Sequence, residues 1–229
     1  MHVGKSGGLL QITAKIQLNV PFKFEFFDEE EPVLFGEIVN AKSPVAMFGV
    51  REDEMYNTMD YRKQVDVLWD TVNQNGEFAV DPCRYTEPYQ LVLARMPRPS
   101  SFAEAIKYHN SKKLRNPNKL HDEDMLLVPR MAFRMQQSFS ELDGQVPKNH
   151  NFVGLTIQTA NEIQWTLDKT GAKALASSTV TVLNGGPRLL SFDRPFLILV
   201  LNRATNATVL AIWVENDELL TSFQNDQKE

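Results

Sequence analysis

Few side chains in this sequence stand at spacings that do chemistry. The four histidines, His2, His109, His121 and His150, are scattered, and no two have the short separation of a helical or hairpin metal pair. His121-Asp122-Glu123-Asp124 gathers metal-type ligands in consecutive positions, but an acidic run ahead of an apolar strand reads first as a solvated loop. Cys83 is the single cysteine, so the chain builds neither an internal disulfide nor a cysteine metal cluster. No His or Lys adjoins it to lower the thiol pKa, which makes it a weak nucleophile. Gly4-Lys5-Ser6 imitates the end of a phosphate loop, yet no glycine stands five positions earlier and no strand precedes it. These residues argue against an enzyme and imply neither a cofactor nor a metal.

The informative stretch is Trp165 to Val182. From Ala172 the alternate residues are Ala172, Ala174, Ala176, Ser178, Val180 and Val182, all small or β-branched. The opposite parity carries Lys173, Leu175, Ser177, Thr179 and Thr181. A strand with three alanines on one face is a poor permanent core strand, because alanine has low β-propensity. It suits a segment that slips between two existing strands where space is tight. An ordinary strand or a short alanine-rich helix is the plainer reading of the same composition. Asn184-Gly185-Gly186-Pro187 follows as a turn.

The elements around this stretch are mostly strands. Leu10, Ile12, Ala14, Ile16 and Leu18 alternate across Leu9 to Leu18, and Phe22, Phe24 and Phe26 continue the alternation past Pro21. The run Asp28-Glu29-Glu30-Glu31 with Pro32 reads as a solvated turn. Val33 to Val39, Ser43 to Val50, Asp60 to Val72 and Tyr89 to Met96 read as strands, with a turn at Asn73-Gln74-Asn75-Gly76. Ser101 and Glu104 have capping-box spacing and open a helix with Phe102, Ala105, Ile106 and His109 on one face. Asn116-Pro117-Asn118 ends that region. Met125 to Met135 alternates as one strand, expected beside Phe152 to Leu167 in a large sheet, and Phe139 to Leu142 reads as one helical turn. Phe192 to Leu201 is apolar on both faces and returns through Val209 to Val214. The expectation is a single β-rich α+β domain over residues 1–229, with two or three sheets and few helices.

Composition sets the outer bounds. Hydrophobic residues at 42% and charged residues at 23% exclude a largely disordered chain, a collagen and a coiled coil. A net charge of −5 and a pI near 5.5 give no general attraction to nucleic acid or to an anionic membrane. The apolar run Phe196 to Leu201, which no other exceeds, is far short of the ~20 residues that cross a bilayer. Residues 1–8 lack the apolar centre of a signal peptide, so the sequence as written reads as cytoplasmic. An extracellular place follows if an N-terminal part is missing, and the strand pattern beginning at Leu9 with almost no lead-in fits that case.

The order of the last third resembles the C-terminal end of a serpin. In that family a strand closing on an acid, a charged residue and glycine opens into a small-residue hinge. An exposed reactive loop, a Phe-x-Arg-Pro-Phe strand and a final hairpin follow. Here Asp168-Lys169-Thr170-Gly171 matches the opening, Ala172 to Thr179 the hinge, and Phe192-Asp193-Arg194-Pro195-Phe196 the strand motif. Leu126 to Phe133 with Phe139-Ser140-Glu141-Leu142 resembles the family's Leu-Pro-Lys-Phe strand and the short helix after it. Tyr89 to Pro97 resembles its hydrophobic strand ending in Leu-Pro. Leu9 to Phe27 stands where the family has Val-Asn-Ala-x-Tyr-Phe-Lys-Gly-x-Trp, without the Asn or the Trp.

The resemblance implies a β-rich α+β architecture of mostly antiparallel sheets, with a reactive-loop region over 171–191. It also implies a suicide inhibitor of serine or cysteine proteases, whose cut loop inserts as a new strand. The partner is then a target protease. The hinge is Gly171, Ala172, Lys173, Ala174, Leu175, Ala176, Ser177, Ser178 and Thr179. Lys173 replaces the family's usual acid, on the parity facing solvent. The cut bond falls near Leu183, Asn184, Gly185 and Gly186. Leu183 would suit a chymotrypsin-like or elastase-like pocket, and Asn184 a legumain-like one. The alternative is a non-inhibitory serpin-like binding or scaffold protein, or an inactive fragment of a serpin.

Overall fold

The apolar runs and turn residues divide the chain into short strands, and a computed structural model shows how they pair. It describes residues 2–6, 9–15, 19–36, 42–50, 60–71, 76–121, 123–137, 145–146, 156–171 and 188–223. In chain order the first strands are β1 (His2–Ser6), β2 (Leu9–Lys15), β3 (Phe27–Asp28), β4 (Val33–Phe35), β5 (Ser43–Val45) and β6 (Met47–Val50). Next come helix α1 (Asp60–Lys63), β7 (Asp66–Asp70), β8 (Phe78–Asp81), β9 (Tyr89–Arg95) and helix α2 (Phe102–Lys112). The remaining strands are β10 (Asn118–Lys119), β11 (Met125–Pro129), β12 (Met131–Gln137), β13 (Thr156–Leu167), β14 (Leu189–Ser191), β15 (Phe196–Asn202) and β16 (Thr208–Val214).

Two compact units result, Met1–Asn19 with Phe133–Trp165, and Val20–Ala132 with Thr166–Glu229. The first unit holds one sheet in the order β1-β2-β13-β12. Strands β1 and β2 form an antiparallel pair, with His2 opposite Thr13. Strands β2 and β13 run parallel, with Leu9 opposite Thr156 and Lys15 opposite Glu162.

The second unit contains a six-stranded antiparallel sheet, β10-β7-β8-β9-β15-β16. Its middle strands are apolar on both faces, and Phe196 through Val200 have no exposed surface. Helix α2 packs on one face through Ala105, against a cluster that includes Leu68, Trp69, Val92, Leu197 and Leu199. The helix begins as expected: the Ser101 side chain accepts a hydrogen bond from the Glu104 amide at 3.2 Å. The Glu104 carboxylate accepts from the Ser100 amide at 2.7 Å, one residue before the capping-box position.

A smaller sheet, β14-β11-β6-β3, lies in the same unit, as does the β4-β5 ribbon. A Cβ on Gly49 of β6 would stand 1.7 Å from the Leu126 carbonyl oxygen of β11, so only glycine lets these strands pair. Phe192 is fully buried, with ring centroids 4.7 Å from Phe78 and 5.1 Å from Phe196.

The β-rich architecture with few helices agrees with the expectation, and five particulars differ. Met125 to Met135 is two strands in two sheets: β11 pairs with β6 and β14, and only β12 lies beside β13. The chain breaks at Arg130, whose amide donates to Ala46 and whose carbonyl accepts from Thr221, both at 2.8 Å. Ser43 to Val50 likewise splits between two sheets at Ala46. The stretch from Asp60 opens with a helical turn, and β7 starts only at Asp66.

The acidic run is not wholly solvated. Asp28 and Glu29 are 5% and 9% exposed, because Asp28 belongs to β3 and pairs with Phe48. On α2, Ala105 and His109 are buried while Phe102 is 47% exposed, since it sits at the first helical position, ahead of the packed turn. The expected helical turn at Phe139 to Leu142 and the alternation at 16–18 lie outside the described residues.

Candidate functional site

The small-residue segment 172–187 lies outside the described residues. That includes Ala172, Lys173, Ala174, Leu175, Ala176, Ser177, Ser178 and Thr179, and the candidate cut region at Leu183, Asn184, Gly185 and Gly186. The structure does place the residues at both of its ends, all in the second unit.

At the upstream end, β13 runs into Asp168-Lys169-Thr170-Gly171. The Asp168 amide donates to the Gly171 carbonyl at 2.9 Å, and the Gly171 amide donates back to the Asp168 carbonyl at 3.1 Å. This closes a two-residue hairpin. The Asp168 carboxylate oxygen Oδ1 accepts from the Thr170 amide at 2.9 Å and from its hydroxyl at 2.8 Å, an aspartate-stabilised turn. Gly171 has φ of +110°, which side chains disfavour. It is bridged on one side to Asp168 and on the other to Pro21. A Cβ there would lie 2.7 Å from Pro21 Cα and from the Phe22 amide nitrogen. Two further amides fix the turn: Phe22 donates to the Thr170 carbonyl at 3.1 Å and Phe26 to that of Lys169 at 2.9 Å.

A charge cluster supports this turn. Lys169 Nζ stands 2.8 Å from Glu25 Oε1 and 3.2 Å from Asp28 Oδ2. Arg130, at the break between β11 and β12, donates to Asp28 Oδ1 through Nη2. Burial alone would lower the Lys169 ammonium pKa, but the hydrogen bonds it donates to the Glu25 and Asp28 carboxylates outweigh it and raise the value above that of ordinary lysine.

The downstream end is held differently. Arg188, just ahead of β14, places Nε 3.1 Å from both carboxylate oxygens of Asp124 and Nη1 2.7 Å from Asp70 Oδ2. The Arg188 amide also donates to Asp124 Oδ1 at 3.1 Å, and its carbonyl accepts from the Met125 amide at 2.9 Å. Asp124 is 3% exposed. Burial would raise its pKa, yet the Arg188 guanidinium and the His121 and Arg188 amides hold it below the usual aspartate value. Arg62 Nη1 braces the loop by donating to the His121 and Asp124 carbonyls at 2.9 and 2.7 Å.

These contacts change the reading of His121-Asp122-Glu123-Asp124. His121 is exposed, as a polar loop predicts, while Asp124 turns inward as an arginine ligand. The sequence reading missed Arg188. Its only local signal was a basic residue directly before a strand and just after Pro187.

Two other buried polar groups were candidates for chemistry. The Cys83 thiol is pushed well above its usual pKa by burial and by the adjacent Asp81 charge, which disfavours the nucleophilic thiolate. Asp81 accepts from the Cys83 amide at 3.0 Å, Gln90 Nε2 at 2.8 Å and Arg203 Nη2 at 2.9 Å, a structural network. His109 Nδ1 accepts from Trp69 Nε1 at 3.1 Å. Its Nε2 is buried without a hydrogen-bond partner among the described residues. Burial, with the Lys113 charge adding to it, lowers the His109 pKa to about 4. Residue His109 lines a cavity of about 310 Å³ together with Ile106, Asn110, Lys113, Leu199 and Leu201. Among the described residues no group of three metal-type side chains converges, and no helix is long and apolar enough to cross a membrane.

Laid beside solved structures, this arrangement of sheets is the serpin fold. Thyroxine-binding globulin in complex with thyroxine superposes with a TM-score of 0.60 at 15% identity, over 93% of this chain and 58% of its own. A serpin from the trematode Schistosoma haematobium gives 0.58 at 12% identity, over 90% and 56%. Serpin48, described as a highly specific serpin of the insect Tenebrio molitor, gives 0.53 at 12% identity, over 90% and 55%. The chain thus spans a little over half the length of these serpins. No protein-family model matches the sequence, and no curated protein matches it.

Proposed function

We propose that this chain is the C-terminal part of a serpin-type inhibitor of serine or cysteine proteases, acting by loop cleavage and strand insertion. The observation that carries the reading is the seat of Gly171. The chain reverses at Asp168–Gly171, and Gly171 is bridged on both sides, to Asp168 and to Pro21. The sequence that follows puts Ala172, Ala174, Ala176 and Ser178 on one parity, where a strand entering a tight space needs small residues. The parallel pairing of β2 with β13 supports it further, because a segment turning back after β13 would run antiparallel to both strands. The segment 172–187 is the proposed protease-sensitive region, with the cut near Leu183 to Gly186.

The test is trapping. The protein is incubated with a panel of serine and cysteine proteases, and complexes that survive denaturing gels are scored. Ala174→Arg should turn an inhibitor into a substrate, cut but no longer trapping, because insertion would bury an unpaired charge. Lys173→Glu, on the opposite parity, should leave trapping intact. A protein that forms no such complex with any protease in the panel is not an inhibitor.

The cavity beside α2 favours a second reading, a non-inhibitory binding protein. It is lined by the apolar Leu199 and Leu201 and by polar groups of Lys113, Asn110 and His109, whose Nε2 has no hydrogen-bond partner among the described residues. That lining fits a small ligand with an apolar body and a hydrogen-bond acceptor. One of the similar structures, thyroxine-binding globulin, holds thyroxine. Under this reading anilinonaphthalene sulfonate binds and quenches Trp69, and His109→Phe weakens the quenching. Equal quenching in the variant removes the reading.

A further inference from the structure

A protease that selects arginine makes three demands on the residue it reads. The guanidinium must reach an acidic pocket. The backbone N–H and C=O of the same residue must also be free to pair with the enzyme as an added strand. Between Gly171 and Arg188 the sequence is Ala-Lys-Ala-Leu-Ala-Ser-Ser-Thr-Val-Thr-Val-Leu-Asn-Gly-Gly-Pro, with Lys173 as its only basic residue. Arg188 is therefore the nearest arginine to the proposed cut region, two residues past Gly186.

At Arg188 all three demands fail. The guanidinium is shared between Asp124 and Asp70, on Nε at 3.1 Å and Nη1 at 2.7 Å, and the side chain is 20% exposed. Its N–H is engaged by Asp124 Oδ1, and its C=O accepts from the Met125 amide. The following residues are bound as well. Leu189 to Ser191 pair with Met125 to Leu127, Leu190 has no exposed surface, and the Phe192 amide donates to the Leu127 carbonyl at 2.9 Å. Asp124 cannot readily release the arginine, because a carboxylate that is 3% exposed would lose its counter-charge.

We propose that the Asp70–Asp124 clamp conceals Arg188 from arginine-directed proteases, and so confines the protease partner to enzymes whose pocket takes an uncharged side chain. The candidate residues Leu183, Asn184, Gly185 and Gly186 are all of that kind. Arg188 is thus a positioning residue that fixes the downstream end of the segment and sets specificity by being withheld. The partner class rests on the inhibitor reading; the concealment does not.

Limited digestion of the native protein with an arginine-specific protease, mapped by intact mass, tests the concealment. Exposed Arg115, followed by Asn116, is the internal reference site. The Arg115–Asn116 bond should be cut at least ~10-fold faster than Arg188–Leu189, since a clamped site is cut only from an opened state. Asp70→Asn alone should raise the Arg188 rate measurably, and Asp70→Asn with Asp124→Asn should raise it by about 10-fold. Thermal melts establish that each variant is folded; if the double variant is not, the wild-type ratio and Asp70→Asn decide. Equal cutting at Arg115 and Arg188 in the wild type, or no change at Arg188 in Asp70→Asn, overturns the concealment. A gel-stable complex with the arginine-specific protease overturns the partner class while upholding an inhibitor. Absence of trapping by every protease removes the inhibitor reading and leaves the cutting ratio as the measure of the clamp.

Discussion

The two ends of the segment 172–187 are held by different physics. Upstream, the turn at Asp168–Gly171 is fixed mainly by backbone hydrogen bonds, to itself and from the amides of Phe22 and Phe26. Downstream, Arg188 is fixed mainly by charge, between Asp124 and Asp70. A backbone seat depends on chain geometry and tolerates little change of residue, whereas an ionic seat depends on protonation state and on both partners being present. The upstream end is built for a fixed direction of the chain, and the downstream end for a fixed position.

Four expected outcomes test that contrast. Arg188→Met leaves the buried Asp124 carboxylate unpaired and should lower unfolding stability by about 3 kcal/mol in urea denaturation. A loss within experimental error would mean that the clamp is ornamental.

Gly171→Ala meets both a positive φ and a backbone 2.7 Å away, and should cost about 2 kcal/mol. Amide exchange should then quicken at Phe22 and Phe26 and stay unchanged at Met125 and Phe192. Quickening at all four would show that the two ends are one unit.

The pH responses should separate next. The folded pKa of Asp124 lies below its ordinary 3.8, so the downstream stabilisation is present above about pH 4 and is lost as pH falls through the folded value. The folded pKa of Lys169 lies above 10.5, so its contribution is complete below 10.5 and is lost as pH rises through the raised value. Acid thus loosens the downstream end and strong alkali the upstream charge support. NMR titration of the Asp124 carboxyl carbon and the Lys169 ammonium nitrogen reads both, and an Asp124 midpoint at or above 3.8 contradicts the first. The smallest effect belongs to Lys169→Met, at less than about 1 kcal/mol, because Asp28 keeps Arg130 and the backbone seat is untouched.

What the sequence disclosed follows the range of each interaction. Strands β9, β15 and β16 and helix α2 were legible because alternation, a doubly apolar run and a capping serine act over a few residues. The Pro-Phe motif and the small-residue stretch pointed to the right fold. The acidic run misled, because a local charge count sees four acids and not Arg130, 102 positions away, which makes burial of Asp28 tolerable. Arg188 and Asp124, 64 positions apart, each look like surface charge until the parallel pairing of β11 with β14 brings them together. The apparent single strand from Met125 to Met135 hid a change of sheet at Arg130, since side-chain alternation does not record which neighbour a strand pairs with.

The hairpin at Asp168–Gly171 also bears on rate. Forming a strand is costly at its first contact, when chain freedom is lost for a single pair of bonds, and cheaper for each residue added afterwards. Here the first contact exists beforehand: the loop is closed over two residues, the direction is reversed, and Gly171 touches both neighbours. A strand growing from Gly171 would therefore extend a nucleus rather than search for one. The time for its addition would be set by zippering of successive small residues, not by the diffusion of a free end.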